Sequence, residues 1–331
     1  MTPARTMQAI RVHQYGGPDQ LTLERAPCPE PQAGEALIRI HAAGVLPMDC
    51  AIRQGRFPGV LPRAFPYIPG SAIAGVVEAV GPDVTNFEPG QAVCGRSPQG
   101  AYAEYAVVPA NPPALRPHLV GYQLSSVIAP LAPKPTTLSF DEAAALSGGA
   151  TTAWTALFED GKLQAGQRIL IHAAAGGVGL FAVQLARWKG AHVIGTASSA
   201  NLDFVRSLGA DDAIDYAATP FEEIVRDVDF VLDTVGGATL ERSMRVIRRG
   251  GTLVSVIEPP PAALAQQLGI HAIKNAVLPT SEHLRAIVRL IDEGHARPTI
   301  RQVFALQDAP QAHALCETGH GRGRIVLHIA D

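Results

Sequence analysis

From Arg168 to Ile257 the chain alternates short apolar runs with stretches of helical character, and this alternation limits the possible folds more than any other feature. The runs lie at 168–172, 192–195, 212–215, 229–234 and 252–257, with helical patterns through 182–186 and near 202–208, 221–226 and 240–248. Apolar strands without polar alternation need cover on both faces. Strand-helix-strand order sets such strands parallel, so the region is expected to form a doubly wound parallel sheet.

A chain of 331 residues has room for two domains at roughly 150 residues each. The texture changes near residue 136. Before it, runs such as 36–41 and 75–80 are punctuated by GGPD, PCPEP, VGPD and FEPG, as short strands joined by turns would be. After it, Ser139-Phe140-Asp141-Glu142 reads as a capping box opening a helix through Leu157. The tail adds a helix over 284–292, a strand at Val303-Phe304, a helix near 309–317 and a last strand at 324–329. Those two strands have no place in the parallel sheet and are expected to return to the first domain. The expected division is 1–136 with 295–331, and 137–294.

Ala173-Ala174-Ala175-Gly176-Gly177-Val178-Gly179 lies between an expected strand and an expected helix. Set against G-x-G-x-x-G it places Ala174, Gly176 and Gly179 at the glycine positions, with the first glycine replaced by alanine. Gly176 lets a pyrophosphate approach the backbone, Gly179 lets helix and strand pack closely, and the amides at the helix start face the phosphates. The competing reading is a glycine turn of another doubly wound protein. An NAD site usually ends its second strand in a carboxylate, whereas here that strand runs into Thr196-Ala197-Ser198-Ser199-Ala200-Asn201, with no acid before Asp203. Ser198, Ser199 and Asn201 offer hydroxyl and amide groups without negative charge, so the expected cofactor is NADP(H). The same residues can also cap the next helix.

Hydrophobic residues make up 47% of the chain, charged residues 17%, and the net charge is -3, so no polyanion partner and no nucleic acid is expected. Cys28, Cys50, Cys94 and Cys316 form no Cys-x-x-Cys pair, which speaks against a disulfide framework and a four-cysteine zinc lobe. The histidines show no paired ligand spacing, and no metal site is expected. The opening residues lack a secretory apolar core and no long apolar run is present, so the expected setting is the cytoplasm, away from membranes.

Further marks are spread along nearly the whole chain: Gly44-Val45-Leu46-Pro47-Met48-Asp49, Pro69-Gly70-Ser71-Ala72-Ile73-Ala74-Gly75, Leu131-Ala132-Pro133-Lys134-Pro135, Thr152-Ala153-Trp154, Ser207-Leu208-Gly209-Ala210-Asp211, Asp233-Thr234-Val235-Gly236-Gly237 and Gly319-His320-Gly321-Arg322-Gly323. With them the chain resembles the medium-chain dehydrogenase/reductase superfamily, in its zinc-independent quinone oxidoreductase (zeta-crystallin-like) branch. The resemblance implies a GroES-like β domain, a Rossmann domain, a nicotinamide in the cleft between them, and a homodimer. It also implies that Thr152 lies beside the nicotinamide, that Ser198, Asn201 and Tyr216 lie at the adenosine phosphate, and that Val235, Gly236 and Ile257 pass the nicotinamide ribose. Arg322 is implied in the loop that reaches the cofactor.

Departures from the family pattern narrow the chemistry. Zinc-dependent relatives carry ligands where this chain has Val45 and Gly70-Ser71-Ala72, so no Lewis acid is expected to polarise an alkoxide. Quinone reductases usually carry Asn where Leu46 stands, and some carry Tyr where Ala51 stands. Asp49 is the nearby carboxylate, suited to holding a loop backbone or to a proton path. Leu46, Met48 and Phe57 are candidates for an apolar acceptor wall. A stretch over 110–130 is additional to the family pattern. The expected activity is NADPH-dependent, zinc-independent hydride transfer to a small-molecule quinone. Enone reduction and a low-turnover NADPH-binding regulatory or structural role stay open beside it.

Overall fold

The computed structural model describes residues 5–57, 64–110 and 130–331. Most of the 110–130 stretch therefore lies outside the described residues. In the first domain, β1 (Thr6–Arg11) and β2 (Thr22–Pro27) form an antiparallel pair. The strands β3 (Glu35–Val45), β4 (Ala72–Val80), β5 (Ala92–Arg96), β6 (Tyr105–Pro109) and β7 (Leu131–Pro133) belong to a larger sheet. Then come β8 (Arg168–Ile171), β9 (His192–Ala197), β10 (Asp212–Asp215), β11 (Val228–Asp233), β12 (Ile247–Ser255) and β13 (His271–Lys274), and in the tail β14 (Ile300–Ala305) and β15 (Arg324–His328).

β8 to β13 form one parallel sheet in the order β10-β9-β8-β11-β12-β13. Its central strands are apolar because both faces are buried: Ile169 and Ile171 enter one core while Leu170 enters the other, and on β11 Leu232 and Val231 divide in the same way. The chain runs from β8 outward to β10, then crosses to β11 on the other side. The loops after β8 and β11 consequently part, leaving a crevice at the carboxyl ends of the strands, where ligands bind in such sheets.

β15 pairs antiparallel with β3, and β14 lies parallel to β15. The tail strands thus complete the sheet of the first domain, as expected from their lack of a place in the parallel one. This sheet surrounds a second core that includes Ile38, Ile73, Tyr102 and Leu327.

Four elements differ from the sequence expectation. The helix expected over 139–157 is broken into Phe140–Ala144, Ala150–Trp154 and a π-helical turn Thr155–Asp160. Its capping box is present, with Ser139 Oγ accepting from the Glu142 amide at 3.1 Å and the Glu142 carboxylate accepting from the Ser139 amide at 3.0 Å. The break falls at Gly148, whose φ of 75° no helix accommodates. The helix near 240–248 occupies Gly237–Met244, and β12 starts at Ile247. Helix Ala262–Leu268 and strand β13 were not expected, since β13 spans four residues with no buried side chain to mark it. No helix among the described residues is long and apolar enough to cross a membrane.

Candidate active site

A cleft of about 800 Å³ opens between the two domains at the crevice end of the parallel sheet. Its wall on the Rossmann side is the loop after β8. Ala173 takes φ 46° to turn the chain out of the strand, a cost that a glycine would avoid. A Cβ on Gly179 would stand 2.2 Å from the Ala173 carbonyl, so only glycine lets helix Gly179–Lys189 start this close to the strand. A Cβ on Gly176 would meet only Ala173 atoms, the nearest at 3.1 Å, leaving that side of the loop open. The Leu180 amide donates to the Gly176 carbonyl and the Phe181 and Ala182 amides to the Val178 carbonyl, whereas the amides of Gly177, Val178 and Gly179 have no backbone acceptor among the described residues. An open cradle with these three donors fits a pyrophosphate.

Arg324, on β15, is the residue at this loop that sequence reasoning missed. Its side chain is buried against Gly177, where a Cβ would lie 2.6 Å from Nη1, and its Nη2 donates to the Ser147 carbonyl at 3.0 Å. One residue earlier, the Gly323 amide donates to the Ala175 carbonyl at 3.0 Å. The tail of the first domain is thus stitched to the glycine loop of the second. Arg322, the expected residue, is exposed and stacks its guanidinium over Phe204, 5.3 Å from the ring centre.

Phe204 follows the end of β9, so Arg322 joins the predicted adenosine-end residues. Asn201 Nδ2 donates to Ser198 Oγ at 3.0 Å, and the Tyr216 amide donates to the Ala197 carbonyl at 3.2 Å. Ser199 and Tyr216 are exposed. None of these residues lines the cleft, and neither do Ala175, Val235 and Gly236. Gly176, Gly177, Val178, Gly179, Thr152 and Ile257 do line it. Thr152 donates its hydroxyl to the Gly148 carbonyl at 3.0 Å. After β11, buried Asp233 accepts from the amides of Val235 and Gly236 at 3.1 and 2.9 Å and from Ser255 Oγ at 2.8 Å, which fixes that loop. Val235 and Ile257 hold apolar side chains in the open at the strand ends, 49% and 48% exposed.

Helix Pro47–Arg53 forms the opposite wall. Leu46, Met48 and Ile52 line the cleft, whereas Phe57 is not among the lining residues. Asp49 also lines it, and its Oδ2 accepts from the Leu46 amide at 2.9 Å and from the Tyr102 hydroxyl at 3.4 Å. Burial pushes the Asp49 carboxyl up to about 6, against the opposing pull of the Leu46 amide, Arg96 and Arg324. It is a backbone holder at the cleft edge. Where zinc-dependent relatives place ligands, Val45 is packed into the core, Ala72 has no donor and Ser71 has only a hydroxyl, so these residues do not fit a metal there.

The chain matches the alcohol dehydrogenase GroES-like domain over residues 32–117 and the zinc-binding dehydrogenase domain over 208–327. It is 32% identical to a quinone oxidoreductase of Mus musculus over 98% of this chain and 99% of that protein. It is 31% identical to the mitochondrial NAD(P)H oxidoreductase RTN4IP1 of Danio rerio, over 90% of this chain and 84% of that one. The structure of the quinone oxidoreductase from Coxiella burnetii superimposes with a TM-score of 0.86 at 34% identity, covering 98% and 99% of the two chains. With a GroES-like domain, a parallel Rossmann sheet and a glycine cradle facing an interdomain cleft, the chain belongs to the quinone oxidoreductase group of medium-chain dehydrogenases/reductases and is an oxidoreductase that works with a nicotinamide cofactor.

Proposed function

We propose that the protein is an NADPH-dependent reductase of quinones that needs no zinc for hydride transfer. The cofactor choice rests on the end of β9. Ser198 and Asn201 stand where an NAD site would carry an acid, and Arg322 is held beside them on the Phe204 ring. A ribose bearing a 2′-phosphate meets a cation and hydroxyl and amide groups there instead of a carboxylate. Gly176 to Gly179 and the helix behind them would hold the pyrophosphate, with Arg324 as the fixed positive charge nearest the loop. Thr152 and Ile257 would flank the nicotinamide end.

The acceptor choice rests on the opposite wall. Leu46, Met48, Ile52 and Ile68 present an apolar surface suited to a flat, weakly polar ring. The nicotinamide, when bound, supplies the hydride. The chain's own contribution is alignment of donor and acceptor across the cleft, which can lower a barrier by roughly 7–11 kcal/mol without any side-chain acid. The relatives named as quinone oxidoreductases support this acceptor class.

Steady-state oxidation of NADPH and NADH with 1,4-benzoquinone, 9,10-phenanthrenequinone and a series of enones tests the reading. Faster turnover of quinones with NADPH is expected. Turnover confined to enones would replace the acceptor class, and NADPH binding without turnover of any acceptor would favour a regulatory role.

A further inference from the structure

Behind the cleft wall, helices Pro47–Arg53 and Ala309–Glu317 pack against each other. The contact brings together residues that are far apart in the sequence. The Cys50 sulfur, one ring nitrogen of His313 and one carboxylate oxygen of Glu317 all lie within 4.8 Å of one another. Cys316 shares the helix face of His313 and Glu317 and lies beside Cys50, outside the set of atoms within 4.8 Å of one another.

His313 brings to the cluster a buried nitrogen without a partner among the described residues. The Tyr102 hydroxyl donates to Asp49 Oδ2, so its oxygen accepts from His313 Nε2–H at 3.0 Å. That bond fixes the tautomer and leaves Nδ1 as a bare lone pair. The residue is wholly buried, and Nδ1 has no hydrogen-bond partner among the described residues. Metal-bound imidazoles have this arrangement, with one nitrogen held by an outer partner and the other on the ion.

Charge adds a second argument. Arg53, wholly buried, pairs with Glu317. A divalent cation together with Arg53 carries three positive charges, and two thiolates with the Glu317 carboxylate carry three negative ones. The buried cluster is then neutral, which a pair of protonated thiols beside the Arg53–Glu317 pair achieves only by leaving the imidazole lone pair unused.

We propose that Cys50, His313, Cys316 and Glu317 form a binding site for a thiophilic divalent cation, with zinc the best match to two sulfurs, one imidazole and one carboxylate. This revises the expectation of no metal site, which rested on sequence spacing; Cys50 and His313 are 263 residues apart. None of the four residues lines the cleft, so the ion has no part in hydride transfer. It ties the helix carrying Met48 and Asp49 to the helix that leads into the loop of Arg322 and Arg324. Binding releases the two thiol protons to solvent.

The test uses the full-length protein, reduced and stripped with a chelator, then titrated with Zn²⁺ against a chromophoric competitor and with Co²⁺ followed by visible absorption. One equivalent of Zn²⁺ is expected, with tetrahedral ligand-field and thiolate-to-cobalt bands. Cys50→Ser and Cys316→Ser should each weaken binding by about 100-fold or more, and Glu317→Gln by about tenfold, with circular dichroism confirming the fold of each. Glu317 is partly solvent-exposed, so its variant keeps the test decisive if a cysteine variant fails to fold. Cys28→Ser should bind as the parent does. Uptake well below one equivalent, uptake indifferent to Cys316→Ser and Glu317→Gln, loss of uptake in Cys28→Ser, or a Cys50–Cys316 disulfide whose reduction restores no zinc binding would each overturn the proposal.

Discussion

Arg324 Nη2 donates to the carbonyl of Ser147 at 3.0 Å, joining the last strand of the β domain to the loop in front of the helix that carries Thr152. The same guanidinium fills the space left by the absent side chain of Gly177 and shares its surroundings with Asp49. A single cation thereby holds the two domains at the point where the cofactor cradle opens. Replacing it by methionine removes the charge from a buried cluster and leaves the Ser147 carbonyl without that donor. Arg324→Met is expected to raise the NADPH Kd at least about tenfold and to lower unfolding stability by about 3 kcal/mol. Fluorescence titration and urea unfolding measure the two effects. An unchanged Kd would reduce Arg324 to a purely structural role.

At the adenosine end, charge decides the preference between cofactors. Arg322→Ala should weaken NADPH binding about tenfold and leave NADH binding nearly unchanged, since only the former carries the 2′-phosphate. Ser198→Asp places a carboxylate where NAD sites have one, and the ratio of NADPH to NADH Kd should shift toward NADH by about 100-fold. Parallel titrations with both nucleotides at fixed ionic strength give the ratio. Equal losses for the two nucleotides in Arg322→Ala would show that the arginine does not read the phosphate.

Two glycines three residues apart should separate folding from binding. Gly179→Ala drives a Cβ into the Ala173 carbonyl and is expected to cost about 1–3 kcal/mol of stability. Gly176→Ala meets only Ala173 atoms and should fold with a melting temperature within a few degrees of the parent. Its cofactor affinity should nevertheless fall, because the new methyl group occupies the open side of the cradle. Thermal unfolding read beside NADPH titration distinguishes the two. If Gly176→Ala bound NADPH as tightly as the parent, the pyrophosphate could not lie on that side.

Part of the acid sensitivity should trace to His172, which sits under the parallel sheet. Ser243 Oγ donates to the Thr239 carbonyl and accepts from His172 Nε2 at 2.8 Å, so His172 Nδ1 accepts from Thr196 Oγ at 3.0 Å. Burial lowers this imidazole from an ordinary 6.5 to about 4, so it stays neutral in the folded protein. Between those values the unfolded chain binds the proton and the folded one does not. Stability is therefore expected to fall as pH drops from about 6.5 to about 4, by on the order of 3 kcal/mol. His172→Gln should flatten that part of the profile in urea unfolding at stepped pH. A His172→Gln profile that kept the parent's slope in this window would contradict the assignment.

Strand β8 and the loop after it show how much was legible beforehand. The unbroken apolar run of Ile169, Leu170 and Ile171 announced burial on both faces, and Gly176 and Gly179 in strand-to-helix context announced a cradle. These are local signals, because a strand's two faces and a turn's steric limits are set by adjacent residues. The broken helix after Ser139 was misread for a related reason. Its alanines and leucines carry helical propensity, but Gly148 and Gly149 had to be weighed against a tertiary contact, the packing of Leu46 and Gly177 onto that bend.

What the chain by itself determined is the order of its elements, the parallel sheet, the return of the tail to the first domain, and the absence of an acid after β9. Only the tertiary structure decided that Arg324 reaches the glycine loop, that Arg322 lies on Phe204, and that Cys50 meets His313. Periodicity reports which face of an element is buried; it carries no information on which distant element covers that face. Such juxtapositions arise only when β15 docks beside β3 and brings its neighbouring helix and loop with it.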